Sequence, residues 1–115
     1  MTTKEEVQEF LNQFHAKVQI FGILYRDDRG KNKDAITELE IQPSYRDIVI
    51  KSIKPEDYVE GPIIDRLNHL GEIWVFGKDV KKREVYIKIT IGYNNSQTIC
   101  ISFHIAAHKL KYQFK

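Results

Sequence analysis

The sequence predicts an α+β fold in which N-terminal helices pack on one face of a C-terminal antiparallel β-sheet. Apolar residues recur every three to four positions in the first half of the chain, which is typical of helices, and at every second position over much of the second half, which is typical of strands. The chain has 115 residues, of which 42% are hydrophobic and 30% charged. This size and composition fit one globular domain over residues 1–115 and exclude two full domains.

A first helix is predicted at the start of the chain. Thr3 and Glu6 have the spacing of a capping box. Apolar residues then follow at helical spacing, namely Val7, Phe10, Leu11 and Phe14. The next apolar run, 20–25, predicts a short strand or a buried segment, and a charged turn is predicted at 26–31.

Two more helices are predicted before residue 55. The second covers about 32–40, and the third begins near Ser44, after Pro43, and runs to about Ile53. The segment 55–71 carries two of the three prolines and two of the six glycines, so it is predicted to be connecting structure.

Three consecutive strands are predicted to form an antiparallel meander in the second half. Apolar and polar residues alternate in 85–91 and in 99–105, and a shorter apolar run occupies 73–76. The last segment, 110–115, alternates as well, which indicates either an edge strand or a basic tail.

The turns between these strands predict a register. Centring the first hairpin between Lys81 and Lys82 places Trp74 and Phe76 on the core face. Centring the second hairpin on Asn95 gives three pairs on the opposite, polar face: Tyr86 with His104, Lys88 with Ser102 and Thr90 with Cys100. The apolar wall for the helices is then expected to be Val85, Ile87, Ile89, Ile99, Ile101 and Phe103.

The predicted polar face carries the groups that RNA cleavage without a metal requires. One group takes the proton of a ribose 2′-hydroxyl, another protonates the leaving 5′-oxygen, and a cation stabilises charge on the phosphate. Tyr86, Lys88 and His104 are the candidates, and histidine is the side chain that ordinarily titrates near neutral pH. The alternative is that all three are the solvated residues of a one-sided sheet.

Charge is distributed unevenly along the chain. Residues 1–60 contain 9 Lys or Arg and 12 Asp or Glu, whereas residues 61–115 contain 9 and 4. A basic second half favours a phosphate-bearing partner such as RNA. The candidate phosphate contacts are Lys78, Lys81, Lys82 and Arg83, with solvated turn charges as the alternative.

Several other functions are disfavoured. Cys100 is the only cysteine, so no internal disulfide is possible, and four residues along a strand would separate it from His104 by about 13 Å, too far for a thiol–imidazole pair. His104 and His108 have the spacing of zinc ligands on a helix, but no third ligand is evident, so we expect no metal and no other cofactor. No apolar run reaches the roughly 20 residues that span a bilayer, and no secretion signal is evident, so we expect a cytoplasmic protein without a membrane partner.

Three segments of the second half resemble the C-terminal half of the motility quorum-sensing regulator (MqsR-like) toxins, a branch of the RelE/ParE-like toxin group. They are the segments 72–78, 84–89 and 99–104, and 35–39 and 54–58 occur upstream in the same order and at compatible spacing. The resemblance covers roughly residues 33–104.

This resemblance implies a RelE-like toxin that cleaves mRNA without a metal and is silenced by a cognate antitoxin. Tyr86 matches the family's strand tyrosine, Lys88 the lysine two residues later, and His104 a basic residue after Ser-Phe. Two positions depart from the family's pattern, because Glu60 stands where the family has a lysine and Val75 where it has a glutamine.

Two further functions stay open at this point. The first is a non-catalytic module whose basic sheet face or tail binds nucleic acid or a protein. The second is the poisoning of a topoisomerase, an activity that belongs to the wider toxin group.

Overall fold

Helices form the first half of the chain and strands dominate the second, as the change of periodicity predicts. The computed structural model describes residues 1–27, 30–66 and 71–115, with only the backbone of residues 30 and 31. The helices of this part are α1 (Lys4–Phe21), α2 (Gly30–Leu39) and α3 (Tyr45–Lys51), with a 3₁₀ turn at Pro55–Asp57. Its strands are β1 (Ile23–Tyr25), β2 (Tyr58–Asp65), β3 (Gly71–Val80), β4 (Arg83–Thr90) and β5 (Thr98–Ile105).

The predicted capping box of α1 is confirmed. The Thr3 hydroxyl accepts from the backbone N–H of Glu6 at 3.2 Å, and the Glu6 carboxylate accepts from the backbone N–H of Thr3 at 3.0 Å. These bonds satisfy N–H groups that a helix start leaves without partners. The predicted apolar stripe is buried along this helix and extends to Val18.

The strands form one sheet in the order β1-β5-β4-β3-β2. The prediction of a purely antiparallel sheet is wrong at one edge, because β1 pairs with β5 in parallel while the other pairs are antiparallel. Three residues are too few to show a strand pattern in the sequence, so this parallel edge could not be predicted from periodicity.

The opposite edge also differs from the prediction. The prediction of connecting structure over 55–71 is wrong for much of the segment, because β2 occupies it, with register shifts on both sides of Glu60. Gly61 and Pro62 lie inside this strand, and a proline without an N–H is tolerated there because β2 is an edge strand. Residues 67–70 of the predicted connection, and residues 28 and 29 of the predicted charged turn, lie outside the described residues.

The helices share one core with one face of the sheet, as predicted. Trp74 and Phe76 belong to this core, which confirms the register assigned to the first hairpin. The sheet residues fully enclosed in it include Phe76, Val85, Ile87, Ile89 and Phe103, each 0% exposed. We call this side of the sheet the helix face and the other side the polar face.

Helix α2 completes the outer edge of β5 where β1 has ended. The side-chain amide of Asn32 donates to the backbone oxygen of Ile101 at 3.1 Å, and its oxygen accepts from the backbone N–H of Phe103 at 3.0 Å. Asn32 is only 1% exposed. One buried side chain therefore replaces a missing strand and satisfies backbone groups that would otherwise be buried without partners.

The register of the second hairpin is partly confirmed. Tyr86 pairs with His104 and Lys88 with Ser102, as predicted, but a bulge follows, after which Thr90 pairs with Ile99. The predicted pairing of Thr90 with Cys100 is therefore wrong. Beyond the bulge the faces exchange: Cys100 joins the core under the helices, whereas Ile99 and Ile101 form a separate small cluster with Ile73.

The last ten residues, 106–115, contain no strand and lie across the polar face. Of the two alternatives left open for this segment, a basic tail is therefore the one observed. In the part of the chain that the structure describes, no helix combines the length and the apolar character needed to cross a bilayer.

Candidate functional site

Tyr86 and His104 form a stacked pair at the centre of the polar face. They are direct cross-strand partners on β4 and β5, and their rings lie 5.0 Å apart between centroids with an angle of 16° between the planes. Both side chains are half-buried, so each ring is supported by the sheet and still reaches solvent. Centring the second hairpin on Asn95 predicts this pairing, and the structure confirms it.

Lys88 lies beside this pair. It is one alternation step from Tyr86 on β4, its Nζ is 5.9 Å from the centroid of the Tyr86 ring, and it is half-buried. Its partner across the strand is Ser102. A phenol, an imidazole and an ammonium group therefore share one patch of the polar face.

The His104 ring is oriented by a backbone group. Its Nδ1 lies 3.1 Å from the backbone oxygen of Ile105. A carbonyl oxygen can only accept a hydrogen bond, so in the neutral imidazole this contact places the proton on Nδ1 and leaves Nε2 with a free lone pair. The orientation therefore suits His104 to accept a proton at Nε2.

The phenol of Tyr86 has the opposite tendency. Partial burial raises its pKa above the ordinary value, and the negative charge of Glu60 on β2 raises it further. The Tyr86 hydroxyl therefore stays protonated at neutral pH, where it can donate a hydrogen bond or a proton but is a poor base.

Glu60 and Val75, the two departures from the toxin pattern, border this patch. They are partners on β2 and β3, and Val75 in turn pairs with Lys88 on β4. Val75 is 0% exposed, whereas Glu60 is exposed. One row of the sheet thus carries a carboxylate at the edge and an ammonium group further in, with an apolar residue between them.

The four predicted phosphate contacts lie in different surroundings. Lys81 and Lys82 form the two-residue turn between β3 and β4, and Arg83 is the first residue of β4; all three are exposed, although Lys81 also donates to the backbone oxygen of Glu40 at 2.9 Å. Lys78 instead forms an ion pair with Asp57 at 3.1 Å, and its exposed fraction is 22%. Of the four predicted phosphate contacts, Lys82 and Arg83 are therefore the best placed to bind a phosphate.

Cys100 is not part of the polar face, contrary to the predicted register. It is 0% exposed in the core, and burial raises the pKa of its thiol far above the ordinary range. A neutral, enclosed thiol cannot act as a nucleophile with His104. Within the described ranges, no three His, Cys, Asp or Glu side chains are grouped so that they could hold a metal ion.

The tail, residues 106–115, borders the Tyr86–His104 pair. The backbone N–H of Leu110 and the hydroxyl of Tyr112 donate to the two carboxylate oxygens of Glu84, at 2.9 and 2.8 Å. Gly77, the partner of Tyr86 on β3, makes room for this contact, because a Cβ there would come within 2.7 Å of Leu110 Cδ1 and would collide with the Tyr112 hydroxyl. The alternation at 110–115 indicates that one side of the tail packs on the protein, but it does not indicate that the tail packs on Gly77 and Glu84.

Comparison of the chain with protein-family models, curated proteins and solved structures gives no match. The chemistry of the polar face is therefore the basis on which a function is assigned.

Proposed function

We propose that this protein is the toxin of a type II toxin–antitoxin pair and acts as a metal-independent endoribonuclease on mRNA, similar to the MqsR-like and RelE-like toxins. The observation that carries the proposal is the stacked Tyr86–His104 pair with Lys88 beside it on a partly open sheet face. A cytoplasmic location and a cognate antitoxin belong to the same proposal.

The mechanism needs three groups and no external reactant. His104 Nε2 takes the proton from a ribose 2′-hydroxyl, and the resulting oxygen attacks the adjacent phosphorus. The bond to the 5′-oxygen of the next nucleotide breaks, and the Tyr86 hydroxyl protonates that oxygen. The products are a 2′,3′-cyclic phosphate and a free 5′-hydroxyl, while the Lys88 ammonium stabilises the negative charge that develops on the phosphate oxygens.

The assignment of base and acid follows from the local geometry. The carbonyl of Ile105 fixes the Nδ1 proton of His104 and leaves Nε2 free to act as base. The raised pKa of Tyr86 keeps its proton available for the leaving group. If the roles were reversed, a tyrosine with a raised pKa would have to lose its proton before the reaction began, which is unfavourable at neutral pH.

Glu60 works against phosphate binding at this site. Its carboxylate is exposed on the same face and acts electrostatically on Tyr86. Like charges disfavour the approach of an RNA phosphate, whereas the lysine of the family at this position would favour it. We therefore expect slower cleavage than a lysine at position 60 would allow.

The test is cleavage of a fluorescently labelled RNA by the purified chain in the presence of a chelator. The expected product carries a 2′,3′-cyclic phosphate, and a single 2′-deoxy substitution at the cleaved position should prevent the reaction. His104→Ala and Tyr86→Phe should each slow cleavage by about 10²-fold or more, because each removes a proton-transfer group. Tyr86→Phe keeps its ring and should retain RNA binding, and His104→Ala should retain most of it because the lysine contacts with phosphate remain.

Tyr45→Phe is a matched control, because Tyr45 is an exposed tyrosine on the helix side of the molecule, and it should cleave as the wild type does. The proposal fails if His104→Ala and Tyr86→Phe leave the cleavage rate unchanged. Binding without any cleavage by the wild type would instead support a non-catalytic module.

A cellular measurement addresses the toxin assignment. Expression of the chain should arrest growth and deplete mRNA, and co-expression of an adjacent small open reading frame should relieve the arrest. A change in DNA supercoiling with intact mRNA would point to a topoisomerase as the target and would contradict the proposed ribonuclease.

A further inference from the structure

Between residues 109 and 115, exposed polar side chains alternate with half-buried apolar or aromatic ones along the tail. Leu110, Tyr112 and Phe114 are half-buried against the sheet. The residues between and beside them are exposed, and three of these are lysines: Lys109, Lys111 and Lys115. An extended segment with this alternation presents one apolar side to the protein and one cationic side to solvent.

The tail is held in place along its length. It begins after β5, binds Glu84 on β4 through Leu110 and Tyr112, and passes over Gly77 on β3. At its far end, the Phe114 ring stacks on Tyr58 of β2 with 5.4 Å between centroids. The tail therefore crosses three strands as a strap, and these contacts fix the backbone that carries its lysines.

The sequence from β4 to the end of the strap carries little negative charge, although the carboxylates of Asp79 and Asp57 act electrostatically on Tyr112. Glu84 is the last acidic residue of the chain, so residues 85–115 contain no Asp or Glu. Both oxygens of Glu84 are occupied by the tail's own donors. The ammonium groups of Lys109 and Lys111 make no ion pair or hydrogen bond with any described residue, so both are available to a partner.

We propose that this strap is a phosphate-binding surface for single-stranded RNA, which it guides to the Tyr86–His104 pair; the identity of the RNA as substrate rests on the proposed function. Lys109 and Lys111 are two residues apart, which places them about 6.6 Å apart along an extended chain. This separation is comparable to that of successive phosphates in an extended strand.

Aromatic groups favour a nucleic acid over an acidic protein as the partner. Tyr86 and His104 are half-buried on the polar face, and the tail that carries the lysines passes over Gly77, the strand partner of Tyr86. Aromatic faces interleaved with cations are the usual surface for single-stranded nucleic acid, because bases stack on the rings while phosphates contact the ammonium groups. An acidic peptide would use the lysines but leave the rings without a role.

The experiment measures binding of a fluorescent oligonucleotide with 2′-O-methyl groups, which cannot be cleaved, by anisotropy as a function of salt. The double variant Lys109→Gln/Lys111→Gln is compared with Lys33→Gln/Lys51→Gln, which removes the same charge from exposed positions on α2 and α3. Loss of two phosphate contacts should make the slope of log Kobs against log salt shallower by about 1.4, equivalent to about 25-fold weaker binding at 0.1 M salt. The control should keep most of the wild-type slope.

The proposal is overturned if the two double variants lose the same affinity, or if the strap variant keeps the wild-type slope. It is also overturned if a glutamate-rich peptide binds more tightly than the oligonucleotide and with the same dependence on Lys109 and Lys111, because the partner would then be an acidic protein.

The outcome is separable from that of the proposed ribonuclease. If the wild type binds RNA through the strap but cleaves none, the strap proposal holds and the ribonuclease proposal fails. If the wild type cleaves RNA but binds it independently of Lys109 and Lys111, the ribonuclease proposal holds and the strap proposal fails. Both double variants change only exposed side chains, and an unchanged thermal midpoint checks that each remains folded.

Discussion

The helix face and the polar face of the sheet are built from the same strands, but the first forms the core and the second carries the candidate site. On β4 and β5, Ile87 and Phe103 are fully enclosed under the helices, whereas Lys88 and His104, their immediate neighbours in sequence, are half-buried on the other side. The helix face is filled by apolar side chains from three helices, while the polar face is covered only in part, by the tail. Residues that stabilise the core and residues of the candidate site are therefore adjacent in sequence and point to opposite sides of the sheet.

The largest expected effect tests this separation with two neighbouring residues. Phe103→Ala should lower the free energy of unfolding by about 3–5 kcal/mol, because it opens a cavity in the core. His104→Ala should cost less than about 1 kcal/mol, since it removes a half-exposed ring and one cross-strand contact. Urea denaturation of both variants measures the difference. Equal losses would show that the polar face contributes to stability as strongly as the core does.

The next effect tests how closely the tail is joined to the polar face. Gly77→Ala should destabilise the protein by about 1–3 kcal/mol, because the added methyl group has no space beside Leu110 and Tyr112. In a chain shortened to end at Lys109, the same substitution should cost much less. Urea denaturation of the four proteins gives the coupling between the two changes. Additive costs would mean that the tail does not rest on Gly77.

The smallest expected effect is a dependence on alkaline pH. Burial, and then the bond to Glu84, raise the pKa of Tyr112 above its ordinary value. An unfolded tyrosine ionises near pH 10, so above about this pH the unfolded chain releases a proton that the folded chain keeps. The stabilisation by Tyr112 is therefore complete below pH 10 and is lost as the pH rises further.

Tyr112→Phe isolates this contribution. At pH 7 the variant should be less stable by about 0.5–1 kcal/mol through loss of its hydrogen bond. The wild type and the variant should then converge as the pH increases from 10 to 11, as measured by their urea midpoints. A constant difference over this range would contradict the role given to the Tyr112 proton.

The candidate site was predictable because its residues lie on regularly alternating strands. Tyr86 and Lys88 are polar positions between isoleucines and valines, so a shift by one residue would bury them and is strongly disfavoured. The same argument fails for Ile99, Cys100 and Ile101, which are consecutive apolar residues. Either face accepts them, so their pattern does not specify the register, and the bulge after Lys88 could not be foreseen.

The edges of the sheet were less predictable than its centre. Gly61 and Pro62 are typical of loops, and only the position of β2 at the edge makes them compatible with a strand. Strand β1 lies within the short strand or buried segment predicted at 20–25, but three residues are too few to indicate which strand it pairs with or in which direction. Edge strands contact one neighbour instead of two, so their sequences are less constrained by pairing and are harder to recognise.

Local periodicity was sufficient to assign helices to the first half of this protein, to place Trp74 and Phe76 under them, and to bring Tyr86 and His104 together. These features depend on residues a few positions apart, on the two-residue turn between β3 and β4, and on the regular alternation of 85–88 and 102–105, for which sequence spacing translates directly into geometry. The parallel edge, the replacement of a strand by Asn32, and the path of the tail over Gly77 to Glu84 arise only in the folded molecule. Each depends on contacts between segments that are distant in sequence. The available space and the unsatisfied backbone groups decide which segments make contact, and no repeating sequence pattern reports these.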